Sequence, residues 1–222
     1  ARRLDDIPDY YFYDGNIKAF LELSERDQLT ISYYGGRDFL DIIFNPEATE
    51  EQGIEVDWGN KTGSLRWTRV ITPKTFANFW ATGSRFSSDF QLPVVDLEER
   101  NLVTDATFKG AVEHHYSDGL GARFGFEQKN LHVRFRQDFP EGLIDVDHRP
   151  KHTVLYGLAT WSPTWRWDLE GGLRYNRFVN DENFTNLAPR LSAKVRLTDT
   201  VNLRAAGGVY YQYPHRSPRF IA

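Results

Sequence analysis

Arg190-Leu191-Ser192-Ala193-Lys194-Val195-Arg196-Leu197 decides the fold. Leu191, Ala193, Val195 and Leu197 point one way, and Arg190, Ser192, Lys194 and Arg196 point the other. That sorting requires the period of two that a strand supplies and a helix does not. The segment predicts a strand with one apolar and one charged face.

The same alternation extends in both directions. After a tight turn at Thr198-Asp199-Thr200, Val201, Leu203, Ala205 and Val209 alternate with Asn202, Arg204 and Gln212. Upstream, Trp167, Leu169, Leu173 and Tyr175 oppose Arg166, Asp168, Glu170, Arg174 and Asn176. Near the start, Ile17, Ala19, Leu21 and Leu23 oppose Lys18 and Glu22, while Leu29, Ile31 and Tyr33 oppose Thr30 and Ser32. In the middle, Ala106, Phe108 and Val112 oppose Thr107, Lys109 and Glu113. Between Gly121 and Arg136 the parity switches, from Phe124 and Phe126 to Leu131, Val133 and Phe135. A bulge near Gln128-Lys129-Asn130 produces such a switch, and so does a strand that leaves a membrane there.

The connections carry a second pattern. Short turns are predicted at Glu25-Arg26-Asp27, Thr72-Pro73-Lys74, Ser117-Asp118-Gly119, Ser162-Pro163-Thr164 and Asp199. Longer polar links are predicted at residues 45–53, 87–101, 138–151 and 177–187. Strict alternation of short and long connections fits an outer-membrane β-barrel, with short periplasmic turns and long extracellular loops. A β-sandwich predicts turns every 8–12 residues and no such alternation. The expected fold is all-β: an antiparallel transmembrane barrel wall of about ten strands.

Composition agrees. Hydrophobic residues are 40% and aromatics 15%, while mean hydropathy is only -0.56. Such values suit strands that face lipid with every second residue. No apolar run reaches the length of a transmembrane helix. Cysteine is absent, which excludes disulfides and thiol chemistry. Methionine is absent too, so a processed or partial chain is expected. A net charge of -4 argues against a nucleic-acid partner.

Several stretches resemble the barrel half of TonB-dependent outer-membrane receptors. One is Tyr11-Phe12-Tyr13-Asp14, followed by Ile17 to Leu23 and by Asp27-Gln28-Leu29-Thr30-Ile31-Ser32-Tyr33-Tyr34-Gly35-Gly36-Arg37-Asp38. Others are Trp58-Gly59-Asn60 with Ser64-Leu65-Arg66-Trp67, and Trp167-Asp168-Leu169-Glu170-Gly171-Gly172-Leu173-Arg174-Tyr175. The strongest is Asn186-Leu187-Ala188-Pro189-Arg190-Leu191-Ser192 with Leu203-Arg204-Ala205-Ala206-Gly207-Gly208 and Tyr210-Tyr211-Gln212. The order of these motifs is more specific than any one of them.

The resemblance implies that residues 1–222 are a partial segment of a 22-stranded barrel in a bacterial outer membrane. It implies active uptake of a scarce nutrient such as a ferric siderophore, not an enzyme, and no cofactor. Implied partners are the lipid bilayer, lipopolysaccharide, the ferric chelate, and TonB–ExbB–ExbD acting through a plug domain. Neither plug, TonB box nor a closing C-terminal aromatic strand is visible, so an internal portion is expected. The alternative is a self-contained barrel of about ten strands with an enzyme site on its rim, as in outer-membrane proteases. Pairing of the first strand with the last would favour it.

Candidate chemistry is sparse. Glu113-His114-His115 and His148-Arg149-Pro150-Lys151-His152 lack the spacing of a metal site, and no metal site is expected. Loop acids such as Asp145 and Asp147 read as solvated. The arginines Arg123, Arg174, Arg190, Arg196 and Arg204 point to the polar face. They could attract an anionic chelate, but pairing with acids such as Asp168 and Glu170 weighs more heavily. Aromatic clusters at Tyr10 to Tyr13, Trp161/Trp165/Trp167 and Tyr210/Tyr211/Tyr213 read first as interface girdles. Ligand contact is expected in the long links. The candidates are Arg85 with Phe86 just before the 87–101 link, His148 with Arg149 in the third link, and Arg177 with Phe178 in the fourth, each joining a cation or imidazole to aromatic or apolar surface.

Overall fold

The computed structural model describes residues 9–43 and 53–213. Those residues form eleven strands: β1 (Asp9–Ser24), β2 (Asp27–Ile43), β3 (Gly53–Thr72), β4 (Thr75–Leu92), β5 (Leu97–Ser117), β6 (Leu120–Phe139), β7 (Gly142–His148), β8 (Lys151–Thr164), β9 (Trp167–Val179), β10 (Asn183–Arg196) and β11 (Asn202–Gly208). The 3-10 turn Pro93–Val95 separates β4 from β5. The sheet order is β1-β2-β3-β4-β5-β6-β8-β9-β10-β11, with β7 attached to β6. Apart from β7 and β8, strands adjacent in sequence are neighbours in the sheet, and β1–β2, β2–β3 and β9–β10 pair antiparallel, as short hairpins require. β1 and β11 stand at opposite ends of that order. The chain divides into two compact units, residues 1–69, 78–109 and 129–151 in one and 70–77, 110–128 and 152–222 in the other.

In the first unit, cross-strand register sorts the side chains. Ile17, Ala19 and Leu21 of β1 lie opposite Tyr33, Ile31 and Leu29 of β2. Those lie opposite Gly63, Leu65 and Trp67 of β3. This apolar face continues onto β4, where Phe79 stacks on Trp67 with ring centroids 5.5 Å apart. The other face is polar near the turns: Lys18, Ser32 and Ser64 form one row, with the two serine hydroxyls 2.6 Å apart. Asn78 accepts hydrogen bonds from Arg66 at 3.2 Å and Thr68 at 2.8 Å on that face. Arg66 and Lys109 both stand over the Trp80 ring, which carries the same face into β5. The β1–β2 turn is fastened by Ser24 Oγ, which donates to Asp27 at 2.9 Å. Trp67 Nε1 donates to the same carboxylate at 3.0 Å.

In the second unit, Trp167, Leu169, Gly171, Leu173 and Tyr175 of β9 face Val195, Ala193, Leu191, Pro189 and Leu187 of β10. Leu203, Ala205 and Gly207 of β11 complete that apolar row. The opposite face holds Asp168, Lys194 and Arg204, then Glu170 and Ser192.

The apolar face covers no protein core. Leu191 is 66% exposed, Leu203 59% and Leu173 50%. Among the described residues only Ala77, Phe135, Val154, Phe178 and Ala188 are buried apolar groups. A soluble sheet does not leave such continuous apolar surface in water; hydrocarbon is the solvent this surface fits.

Four expectations need correction. The turn expected at Ser162-Pro163-Thr164 lies at Trp165 and Arg166, because β8 runs to Thr164. The link expected at residues 87–101 is mostly strand, since β4 continues to Leu92 and β5 begins at Leu97. The link expected at residues 138–151 contains β7, which returns along β6 from Phe139↔Gly142 to Val133↔His148. The link expected at residues 177–187 shrinks to Asn180 to Glu182. In each case strands continue past the apolar stripe, and their polar outer residues read as loop. The link expected at 45–53 lies almost wholly outside the described residues. The parity switch in β6 has a local basis. β6 runs unbroken through it; Leu131 N–H reaches the carbonyl of Pro150, the residue before β8, and from Val133 onward β6 is paired with β7.

Candidate ligand-binding face

A transmembrane strand needs about 9–11 residues to cross hydrocarbon. In both units the two faces exchange character at about that distance from the short turns. In the first unit the outer face changes from Ile17, Ile31 and Leu65 to Arg37, Asp57, Lys61 and Arg85, where Arg37 pairs with Asp57. The inner face there turns aromatic. Tyr10, Phe12, Asp38 and Trp58 share it by register. Tyr10 donates to Asp38 at 3.0 Å, a bond that raises the phenol pKa. Phe86, one residue from Arg85 on β4, points to this inner side by strand alternation.

The β6–β7 hairpin repeats the exchange. Lys129 pairs with Asp105 at 3.4 Å on the inner face, and Leu131, Val133 and Phe135 follow on that side. Phe135 is 7% exposed and stands opposite Val146. It therefore shares the inner side with Leu131 and Val133, opposite to Phe124 and Phe126. The outer side carries His132, Arg134, Arg136, Asp145 and Asp147. His132 contacts Asp147 at 3.0 Å and Arg134 contacts Asp145 at 3.2 Å. The hydrogen bond from His132, reinforced by Arg149, holds the Asp147 carboxyl below its usual range.

In the second unit the inner face is polar near the short turns. Asp168 is reached by Lys194 at 3.1 Å and by Arg196 at 3.8 Å, and Ser162 donates to Asp168 at 2.8 Å. Arg123 pairs with Glu113, Arg174 donates to Asn176 at 2.9 Å, and Arg190 stacks over Tyr210. So Arg123 and Arg196 are matched by carboxylates, Arg196 by the expected Asp168 and Arg123 by Glu113. Beyond Asn176 and Asn186 the inner face becomes aromatic. Phe178 stands opposite Phe184. Tyr213 stacks on Phe178 at 4.9 Å with rings nearly parallel, and the His152 ring meets both edge-on. Asn186 donates to the Tyr213 hydroxyl at 3.3 Å.

The six candidates therefore divide. Phe86, His148 and Phe178 lie on inner faces, His148 opposite Val133. Arg85 lines an outward cleft, and Arg177 stands opposite Thr185 on the outer face of its hairpin. Arg149 contacts Asp147 at 3.3 Å in the link before β8. Adjacent residues within one strand cannot share a face, so Arg85 with Phe86 and Arg177 with Phe178 are not joint contacts. Sequence reading missed Tyr10, Phe12, Trp58, His152, Phe184 and Tyr213 as inner-face residues. The signal was their parity relative to the apolar stripe. The histidines of the Glu113-His114-His115 cluster find local partners: His114 bonds Thr75 at 2.8 Å and His115 contacts Glu113 at 3.1 Å.

Comparison with known proteins bears on this geometry. The family model for the β-barrel of TonB-dependent receptor-like proteins matches residues 2–220. No curated protein matches significantly in sequence. Among solved structures, the ferric yersiniabactin uptake receptor FyuA from Yersinia pestis aligns with TM-score 0.67 and 13% identity, over 86% of this chain and 36% of that one. The alcaligin outer-membrane receptor FauA from Bordetella pertussis aligns with TM-score 0.74 and 12% identity, over 90% and 35%. The ferric citrate transporter FecA aligns with TM-score 0.68 and 12% identity, over 90% and 36%. At such identities the likeness concerns fold alone. This chain spans about a third of the length of those structures.

Proposed function

The chain belongs to the TonB-dependent receptor β-barrel family, whose members are receptors and transporters of the bacterial outer membrane rather than enzymes, and on that premise we propose that it forms part of the wall of an importer for a scarce nutrient, a ferric siderophore or similar chelate. Import in this reading draws energy from TonB–ExbB–ExbD through a plug domain outside these residues. The observation that supports it best is the inner aromatic surface beyond the polar wall, above all the Phe178–Tyr213 stack with His152 and Phe184. Aromatic rings with a few polar edges suit an amphipathic chelate. Phe86 and His148 are further proposed contacts on inner faces. The enzyme-bearing self-contained barrel is not favoured, since β1 and β11 end the strand order without pairing.

The test is uptake of radiolabelled ferric chelates by cells carrying the full-length protein, with and without TonB. Phe178→Ala with Tyr213→Ala should weaken chelate binding about tenfold or more, the loss expected of two stacking side chains, while membrane insertion stays normal. Uptake that persists without TonB would sink the energised-import reading. Unchanged affinity in the double variant would remove the aromatic face from the ligand site.

A further inference from the structure

β11 ends at Gly208, and residues 209–213 are not strand. Val209 N–H still reaches the Pro189 carbonyl at 2.9 Å, and Tyr210 lies beneath Arg190. Beyond that point the chain leaves the line of its strand. Along an extended β11, Tyr213 would share parity with Leu203, Ala205 and Gly207 and point outward. Its ring lies instead on the inner face, 4.9 Å from Phe178 of β9 and 5.3 Å from His152 of β8. β8 stands three places from β11 in the sheet order, about 14 Å at the ordinary strand spacing. A tyrosine side chain does not span that distance from the line of β11, so the backbone of residues 209–213 turns in over the sheet.

The place that Tyr213 occupies suits a ring of one kind. Phe178, 5% exposed, supplies the base, and the two ring planes differ by only 4°. His152 meets the tyrosine ring edge-on, and Phe184 is tilted against it with centroids 6.4 Å apart. The Asn186 amide donates to the phenol oxygen at 3.3 Å. Opposite Asn186 stands Asn176, whose side-chain oxygen accepts from Arg174, so that guanidinium is turned away from the ring. The contacts are therefore two aromatic rings, an imidazole and a neutral amide. They ask of an occupant a flat ring bearing an oxygen that accepts a hydrogen bond. An iron-bound phenolate meets that demand, because its oxygen has lost its proton and keeps lone pairs. A carboxylate chelate without rings does not.

We propose that Tyr213 sits in the seat of a phenolate ring of the ligand, and that the ligand gains the seat by displacing it. The inference rests on the importer reading and names its substrate class: ferric chelates that carry phenolate rings. Tyr213 is held by ring contacts and a long hydrogen bond, on a segment outside the strand ladder, so its release breaks no strand pairing. An occupant supplied by the protein itself scales the apparent affinity by the fraction of molecules in which the seat is clear.

Equilibrium binding to the purified full-length protein tests it with two synthetic ferric chelates of equal charge. One is ferric bis(hydroxybenzyl)ethylenediamine diacetate, which carries iron-bound phenolates. The other is ferric EDTA, in which carboxylates take their place. Wild type should prefer the phenolate chelate about tenfold or more. Tyr213→Ala clears the seat, so it should tighten the phenolate chelate several-fold and leave ferric EDTA unchanged. Phe178→Ala should weaken the phenolate chelate about tenfold and leave ferric EDTA unchanged. With both substitutions the loss of Phe178 decides, since no seat remains to be cleared. Tyr211→Ala, which alters an exposed neighbour, should behave as wild type. Heat-modifiable migration on gels verifies that each variant is folded. Equal binding of the two chelates to wild type, or a Tyr213→Ala variant that does not tighten the phenolate chelate, would overturn the proposal. TonB takes no part in this measurement. Failure here leaves energised import standing, and uptake that persists without TonB leaves the seat standing.

Discussion

Single residues set two tolerances that composition hides. Gly119, in the β5–β6 turn, accepts Ser162 N–H at 2.6 Å. A Cβ there would lie 2.6 Å from the Ser162 carbonyl oxygen, a backbone atom with nowhere to go. Gly119→Ala should cost about 1–3 kcal/mol, whereas Gly15→Ala, where a Cβ would meet nothing within 4 Å, should be nearly neutral; urea unfolding of the full-length protein in lipid vesicles compares them. Equal stability of the two variants would mean that the turn relaxes. Asp147 makes an acid-side prediction. Its folded pKa is depressed, chiefly by the His132 hydrogen bond. Its contribution is therefore complete above the unfolded carboxylate pKa, about pH 4. It fades as pH falls through the lower folded value. Amide exchange in β7 should quicken over that acid range, and Asp147→Asn should abolish the pH-dependent part. An Asn variant that keeps the full acid dependence would assign it to another group.

Elements differ by face rather than by hydropathy. β10 places Leu191 and Ser192 side by side on opposite faces, Leu191 opposite Gly171 and Ser192 opposite Glu170. Both lie near the middle of the crossing. Leu191→Arg should cost about 2–4 kcal/mol, the penalty of a cation at the bilayer midplane. Ser192→Arg, facing a carboxylate on the polar side, should cost far less. Reversal of that order in vesicle unfolding would exchange the two faces. At this scale the sequence was least informative about strand ends. Arg177 and Asp145 look like loop residues because they are charged, yet they sit in β9 and β7. A strand outside hydrocarbon has no reason to keep its outer face apolar.

At the scale of the molecule, the inversion of faces defines membrane depth, and tryptophans report it. Trp67 shares the outer face with Leu65 and Phe79, and Trp167 with Val195. Trp80 lies on the inner face beneath Arg66 and Lys109. In single-tryptophan versions of the full-length protein, brominated acyl chains should quench Trp67 and Trp167 strongly and Trp80 weakly. Comparable quenching of Trp67 and Trp80 would refute the assignment of lipid and lumen sides.

The local sequence determined that the chain is built of strands, where its short turns fall to within two or three residues, and which face meets lipid in most membrane-crossing strands, residues 75–82 and 153–161 being ambiguous in facing. All of that is written in a period of two, which the pleated backbone imposes on each strand separately. Tertiary structure alone decided how far strands continue past the membrane, that β7 adds to β6, and that Phe178, Phe184, His152 and Tyr213 gather on one face. It also separated Arg85 from Phe86. Those relations depend on cross-strand register, fixed by hydrogen bonds between segments distant in sequence, and no local pattern encodes them.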